Sequence, residues 1–416
     1  MQPDAAWADA PARAPARTGP PPWAVLGVLW LVGICLRLTI LAVPPLLPAI
    51  HRSLHMDEKL VGALSGLPIL VLAVAAVPGS FVISRLGARR ALLLGLCTTG
   101  VAAAARGALP SVPLLFAMTF LMAVGIAVSQ PTLPSLVRQW FGRRPGPATA
   151  VYSNGFLTGE ILAAALTVPL VLPLVGGSWQ WAFALWSVPV LITAGLLLVV
   201  APRGAQQATD VQVGWWPDWR SGRTWRLGII FGCASIAYFG SNAFLPDYLK
   251  ATHHAQLISV TLTSLNVSQL PSSFLVAALP GQLVGRRWPL AASGGLILAS
   301  ALGFALAEPW TAVWAALLGF ASALVFVLSL ALPPLIARPA DVHRLSAAMF
   351  TLSYTCAAAG SFLGGAIWDA TRVAAGAFAP VMAGAVVMMV LAFGVKVHEG
   401  RSLIPPAALT GEERTP

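Results

Sequence analysis

The sequence predicts an all-α membrane protein, with twelve transmembrane helices in two pseudo-symmetric six-helix bundles. Three observations carry this prediction. The 416 residues are 57% hydrophobic and 9% charged with a mean hydropathy of +0.80, a mixture that one soluble core cannot bury while keeping a wet surface. Apolar stretches of about 20 residues, enough to cross the hydrocarbon of a bilayer, recur along nearly the whole chain between short polar or Pro/Gly-rich joints. The basic residues are dense in alternate joints and sparse in the others.

Taken in order, the spans lie at about 23 to 50, 59 to 83, 90 to 106, 112 to 137, 147 to 174, 180 to 201, 227 to 249, 257 to 284, 289 to 307, 310 to 336, 345 to 368 and 376 to 397. With the N-terminus in the cytoplasm, 19 of the 25 basic residues fall inside and five (Arg52, Lys59, Arg106, Lys250 and Arg372) fall outside, leaving Arg37 within the first span. That split orients the chain and checks the number of spans, because one missed span would scramble the alternation. The net charge of +11 therefore follows a membrane rule and implies no nucleic-acid partner. The expected location is the bacterial inner (plasma) membrane, multi-pass, with both termini cytoplasmic.

The expected organisation is a disordered cytoplasmic tail at 1–22, a six-helix bundle at 23–201, a cytoplasmic linker at 202–226, a second bundle at 227–397 and a cytoplasmic tail at 398–416. The linker is the longest polar interruption, and its arginines together with Trp215, Trp216 and Trp219 suit a membrane interface. The halves echo each other: Val77-Pro78-Gly79 matches Leu279-Pro280-Gly281, and Thr132-Leu133-Pro134-Ser135-Leu136 matches Ala331-Leu332-Pro333-Pro334-Leu335. Such internal repetition is the trace of a transporter whose substrate site lies near the bilayer midplane, between the halves.

At Ser84-Arg85-Leu86-Gly87-Ala88-Arg89-Arg90 the joint between spans 2 and 3 resembles the cytoplasmic signature G-x-x-x-D-R-x-G-R-R/K of the major facilitator superfamily. The resemblance implies the major facilitator fold and a cytoplasmic gate at Ser84, Arg85, Gly87, Arg89 and Arg90. Ser84 stands where the signature has aspartate, which removes the family's charge-paired lock at this loop. Further segments (Arg37-Leu38-Thr39, Pro44 to Pro48, Gly62 to Pro68, Gln130 to Pro134, Val137 to Phe141 and Tyr152 to Gly155) together resemble the cyanate and 2-nitroimidazole transporter branch. This narrower likeness covers most of the N-terminal half and weakens toward Asp369.

Arg37 is the residue of greatest interest. A guanidinium at bilayer depth costs about 2.5–3.5 kcal/mol on insertion scales and keeps its proton, so it faces protein or water. Its five donors suit a small monovalent anion such as cyanate or nitrate, or a nitro group. The alternative is a structural arginine paired with an acid or with carbonyls freed by Pro44 and Pro45. Glu160 is the one carboxylate placed well inside a span; desolvation disfavours its charged form unless Arg37 or another donor holds it. It is thus either a proton-coupling group or a structural partner of Arg37.

Asn266, Gln269 and Ser273, at i, i+3 and i+7 of span 8, share one helical face and either line a cavity or hydrogen-bond a neighbouring helix. Gln130, Tyr152, Asn154, Tyr238, Asn242 and Tyr354 also place donors at mid-membrane depth as candidate substrate contacts. Gly155 and Gly159 give a G-x-x-x-G spacing that permits close helix approach or sliding. Asp247 and Asp369 are read as solvated caps near the outer ends of spans 7 and 11. The six histidines fall outside the spans without metal spacing, and Cys35, Cys97, Cys233 and Cys356 read as small packing residues. No metal and no cofactor is expected.

The chain has no Walker sequence, no H-E-x-x-H and no G-x-S-x-G, so neither an ATP-driven pump nor an embedded protease is indicated and no enzyme is expected. The leading expectation is a monomeric secondary transporter of a small anion or nitro-bearing solute, working by alternating access with protons as a possible co-substrate. The alternatives are a broad drug/proton antiporter and a non-transporting membrane sensor.

Overall fold

The computed structural model describes residues 22–142, 145–202, 214–306 and 310–394. Both expected tails, apart from Pro22, lie outside the described residues, as do residues 203–213 of the linker and His398. Over its described residues every predicted span falls mainly on helix. These are α1 (Pro22–Leu54), α2 (Glu58–Leu86), α3 (Ala88–Ala105), α4 (Val112–Phe141), α5 (Pro145–Leu174) and α6 (Trp179–Val200) in the first half. The second half holds α7 (Gly222–Ala251), α8 (Ile258–Val267 and Leu270–Ala278), α9 (Trp288–Leu306), α10 (Thr311–Ile336), α11 (Val342–Thr371) and α12 (Ala379–Phe393). Among the described residues nine helices are long and apolar enough to cross a membrane; α3 and α9 are not among them, and α8 is in two pieces.

Local chemistry explains the starts and breaks. Asp57 caps α2 by accepting from the Leu60 amide at 2.8 Å, and Ser178 does the same for α6 from Trp181 at 3.3 Å. Gly87, at φ 78°, makes the tight joint between α2 and α3 that a side chain would strain. In α1 a single turn residue, Ala42, separates Pro22–Leu41 from Val43–Leu54, because Pro44 and Pro45 offer no N–H to the carbonyls of Ile40 and Leu41. Likewise α8 breaks at Ser268-Gln269, just ahead of Pro271, and α10 at Leu332, just ahead of Pro333 and Pro334.

Helix α1 lies against α5 at glycine distance. A Cβ on Gly155 would collide with the Trp30 carbonyl oxygen, one on Gly159 with that of Ile34, and one on Gly33 with that of Tyr152. The G-x-x-x-G spacing therefore serves close packing. Between the halves, α2 packs on α11 and α5 on α8. Toward the end of the molecule that carries the linker, α4 is buried from Gly125 through Val137, and Pro280 sits 3.2 Å from where a Cβ of Gly146 would be. Large apolar side chains such as Val199, Leu306 and Phe362 remain exposed on the perimeter, where lipid solvates them.

Candidate functional site

Midway along α1, Arg37 meets Glu160 of α5, with Nε 3.4 Å from Oε1 and the two side chains only 8% and 6% exposed. The glycine contacts between these helices bring the backbones close enough for that pairing. The guanidinium also faces two aromatic rings, 5.6 Å from the centroid of Phe156 and 5.8 Å from that of Phe326 in α10. Its Nε makes no hydrogen bond. The cation is thus neutralised and stacked while donor capacity remains.

The other Glu160 oxygen reaches across to the second half. The Tyr238 hydroxyl of α7 donates within 2.8 Å of Oε2 and also lies 3.0 Å from Oδ1 of Asn266. Behind it, Asn266 donates to Asn242 at 3.1 Å, Asn242 donates to the Tyr238 carbonyl at 3.0 Å, and Gln269 donates to Asn266 at 3.3 Å. Arg37, Glu160, Tyr238, Gln269, Phe326 and Tyr354 all face a central cavity of about 30 Å³, room for about one water. In this conformation the site is contracted.

The predicted contacts divide by position. Arg37, Glu160, Tyr238, Gln269 and Tyr354 line the cavity. Gln130 stands one hydrogen bond behind it, paired with Tyr354 at 3.0 Å, and Asn242 and Asn266 stand behind Tyr238. Tyr152 is buried in a core to which both halves contribute, with its ring edge on Phe156. Asn154 ties helices together, accepting from Trp30 at 2.8 Å and donating to Ser273 at 3.0 Å. The expected stripe of α8 is therefore split by the helix break: Asn266 and Gln269 turn to the site, and Ser273 holds α5.

Several placements differ from expectation. Arg106, counted on the outer side at the end of span 3, is fully buried at the end of α3, and His343 is buried in the first turn of α11. At the expected gate, Ser84 donates to the Phe81 carbonyl of its own helix, Arg85 lies over the Phe81 ring at 5.1 Å, and Arg89 donates to the Leu198 carbonyl at the end of α6. Arg90 is exposed. The bond between the halves there comes from the linker: Ser80 donates to the Trp215 carbonyl at 2.8 Å, and Arg344 to that of Trp216 at 2.7 Å. Asp247 pairs with Lys250 at 3.1 Å in solvent, and Asp369 is exposed. Cys35 and Cys233 are buried, Cys97 and Cys356 half-buried. Among the described residues no group of His, Cys, Asp and Glu is arranged to hold a metal ion.

Sequence reasoning missed Phe156, Phe326 and the hydroxyl pair Ser235 and Ser353, whose oxygens are 2.6 Å apart beside the cavity. Phe156 was detectable, since it lies four residues before Glu160 and so shares its face. Phe326 sits in an apolar helix where a search for polar groups finds nothing.

Comparison with known proteins agrees with this architecture. The family model described as Major Facilitator Superfamily matches residues 29–262, more than half of the chain. The 2-nitroimidazole transporter of Escherichia coli (strain K12) is 28% identical over 352 residues, covering 83% of this chain and 88% of that protein. The cyanate transport protein CynX of the same organism is 27% identical over 261 residues, covering 61% and 66%. Among solved structures, the proton:xylose symporter XylE superposes with a TM-score of 0.70 at 12% identity, over 89% of this chain and 95% of that one, a likeness of fold alone. The broken paired helices, the central site between two halves and the family match lead to one assignment: this chain is a multi-pass membrane transporter belonging to the Major Facilitator Superfamily.

Proposed function

We propose that the chain moves a small monovalent anion, or a solute presenting a nitro group, that takes the place of the Glu160 carboxylate on Arg37, and that an anion enters together with a proton. The observation that supports this reading is the buried Arg37–Glu160 pair at the cavity wall. With Glu160 ionised the empty site is neutral. An anion added alone would leave one uncompensated negative charge in a desolvated centre, which is expensive. An anion added with a proton on Glu160 keeps the site neutral and frees the guanidinium for the ligand. Both forms that must cross between access states are then electrically balanced.

Two relatives support the substrate class, since their names give cyanate and 2-nitroimidazole as what they carry. The carboxylate is engaged by Arg37 and Tyr238, which speaks against a site built for cationic drugs. The natural setting we infer is a bacterial inner membrane, with a monomer whose termini face the cytoplasm.

The test is uptake of labelled cyanate and of 2-nitroimidazole into proteoliposomes under imposed pH gradients. Protonating Glu160 releases Arg37, so wild-type cyanate uptake rises as the pH on the entry side falls. Glu160→Gln should bind cyanate while uptake loses its pH dependence. Uptake of neither probe, or an unchanged pH profile in Glu160→Gln, refutes the coupling scheme.

A further inference from the structure

The second buried arginine has no part in that scheme. Arg106, 0% exposed, ends α3 with its guanidinium 4.0 Å from the Phe183 ring centroid of α6 and with Nη2 donating to the Thr39 carbonyl of α1 at 3.1 Å. Its Nε and Nη1 make no hydrogen bond, and among the described residues no carboxylate pairs with it. A guanidinium keeps its charge in the interior, so donors left idle there need a reason.

The reason lies in where it is attached. Thr39 is two residues beyond Arg37 and three before Ala42, where α1 breaks. The next two carbonyls, of Ile40 and Leu41, are those whose helical donors Pro44 and Pro45 have removed. Two idle donors thus stand beside a segment with two deprived acceptors.

We propose that Arg106 is a positioning residue for transport: it clamps α1 through Thr39 in this conformation, and its idle donors take up the Ile40 and Leu41 carbonyls when the bend at Ala42 changes between access states. Arg37 rides on the clamped segment, so the bend sets where the guanidinium points. The proposal concerns the movement of α1 and stands apart from the identity of the ligand on Arg37.

The test compares wild type, Arg106→Lys, the paired change Pro44→Ala with Pro45→Ala, and the three changes combined. Lysine keeps the charge but cannot hold several carbonyls with a planar fork; alanines at 44 and 45 return the missing N–H groups. Labelled cyanate and 2-nitroimidazole serve as transport probes, and amide hydrogen exchange of the stretch 38–47 gives a ligand-free readout. The expected result for Arg106→Lys is turnover lowered at least tenfold with KM changed less than twofold, and faster exchange confined to 38–47. The proline variant should also slow turnover, and the combination should be no slower than the worse of its parents. Unchanged turnover and exchange in either parent overturns the proposal. So does exchange raised throughout the protein with KM and turnover lost together, or fully additive losses. If Arg106→Lys does not fold, the proline variant alone decides. If neither probe is transported, the proposed substrate fails and the exchange data, with their additivity, still judge the clamp.

Discussion

The two halves of the molecule contribute unlike chemistry to one site. Both charges, Arg37 and Glu160, stand on α1 and α5 of the first half, whereas the second half offers neutral groups: Tyr238, Asn266, Gln269 and Tyr354. Because α1 and α5 are packed at glycine distance, rocking one half against the other leaves the ion pair together. Pulling it apart in a dry centre would strand a buried charge, so confining it to one bundle lowers the barrier to the movement. The second half meets the pair through the Tyr238 hydroxyl on Glu160 and the Phe326 ring over Arg37.

The repeat motifs diverge in the same sense. α2 runs unbroken through Pro78 and α4 through Pro131 and Pro134, but the matching positions Pro280 and Pro333-Pro334 each follow a break. Packing accounts for the first pair. A Cβ on Gly79 would stand 2.9 Å from the Ala127 carbonyl oxygen, so α4 braces α2 there, while Gly281 has nothing within 4 Å. At this pair the braced helix runs on through its proline and the unbraced one breaks ahead of it.

The largest expected effect comes from breaking the charged half. Arg37→Ala leaves Glu160 buried without its cation, which should destabilise the protein by about 3–5 kcal/mol and abolish probe binding. Adding Glu160→Gln should restore most of the melting temperature and none of the binding. Thermal unfolding and ligand affinity across the two single variants and the double variant check this. A folded Arg37→Ala protein with wild-type affinity would end the substrate role.

Much of this contrast was legible in the amino-acid order, and the reasons are physical. Hydrophobic length marks a span however it packs, so the described part of each of the twelve stretches is mainly helix. Arg37 and Glu160 stood out because a charge inside an apolar run is costly and needs a partner. Arg106 did not, because an arginine at the end of a span reads the same whether it points to solvent or folds back under Phe183. The tie between Asn154 and Ser273 was hidden for a similar reason: an amide at mid-membrane depth suits a cavity and a neighbouring helix equally well, and only the break in α8 decides which it meets.

A smaller effect is expected from cutting the link between the halves. Tyr238→Phe keeps the ring and removes the hydroxyl that touches Glu160 and Asn266. A hydrogen bond to a charged group contributes about 1.5–3 kcal/mol, so turnover should fall by roughly one to two orders of magnitude if that bond relays the state of Glu160 to the second half. Affinity should change far less, since Arg37 is untouched. Counterflow kinetics resolve the two, and equal losses in affinity and turnover would make Tyr238 a simple binding contact.

The smallest effect sharpens the comparison at the linker end, where the signature loop lacks its aspartate. Ser84 bonds within α2, and one turn earlier the buried Ser80 donates to Trp215, whose ring meets Phe81 edge-on at 5.5 Å. From the other half, Arg344 holds the Trp216 carbonyl while pairing with Asp341 at 2.7 Å. The linker therefore joins α2 to α11 by neutral carbonyls in place of a direct charge pair. Ser80→Ala removes one neutral hydrogen bond, worth about 0.5–1.5 kcal/mol, and should favour opening at the linker end by about two- to tenfold. Spin labels introduced by Arg90→Cys and Arg287→Cys, exposed positions in opposite halves at that end, report the opening as a longer distance, provided the four native cysteines are replaced. Because Arg344 still grips Trp216, the shift should stay partial in Ser80→Ala and grow when Arg344→Gln is added. An unchanged distance distribution in the double variant would mean that the linker rests on the closed gate without holding it shut.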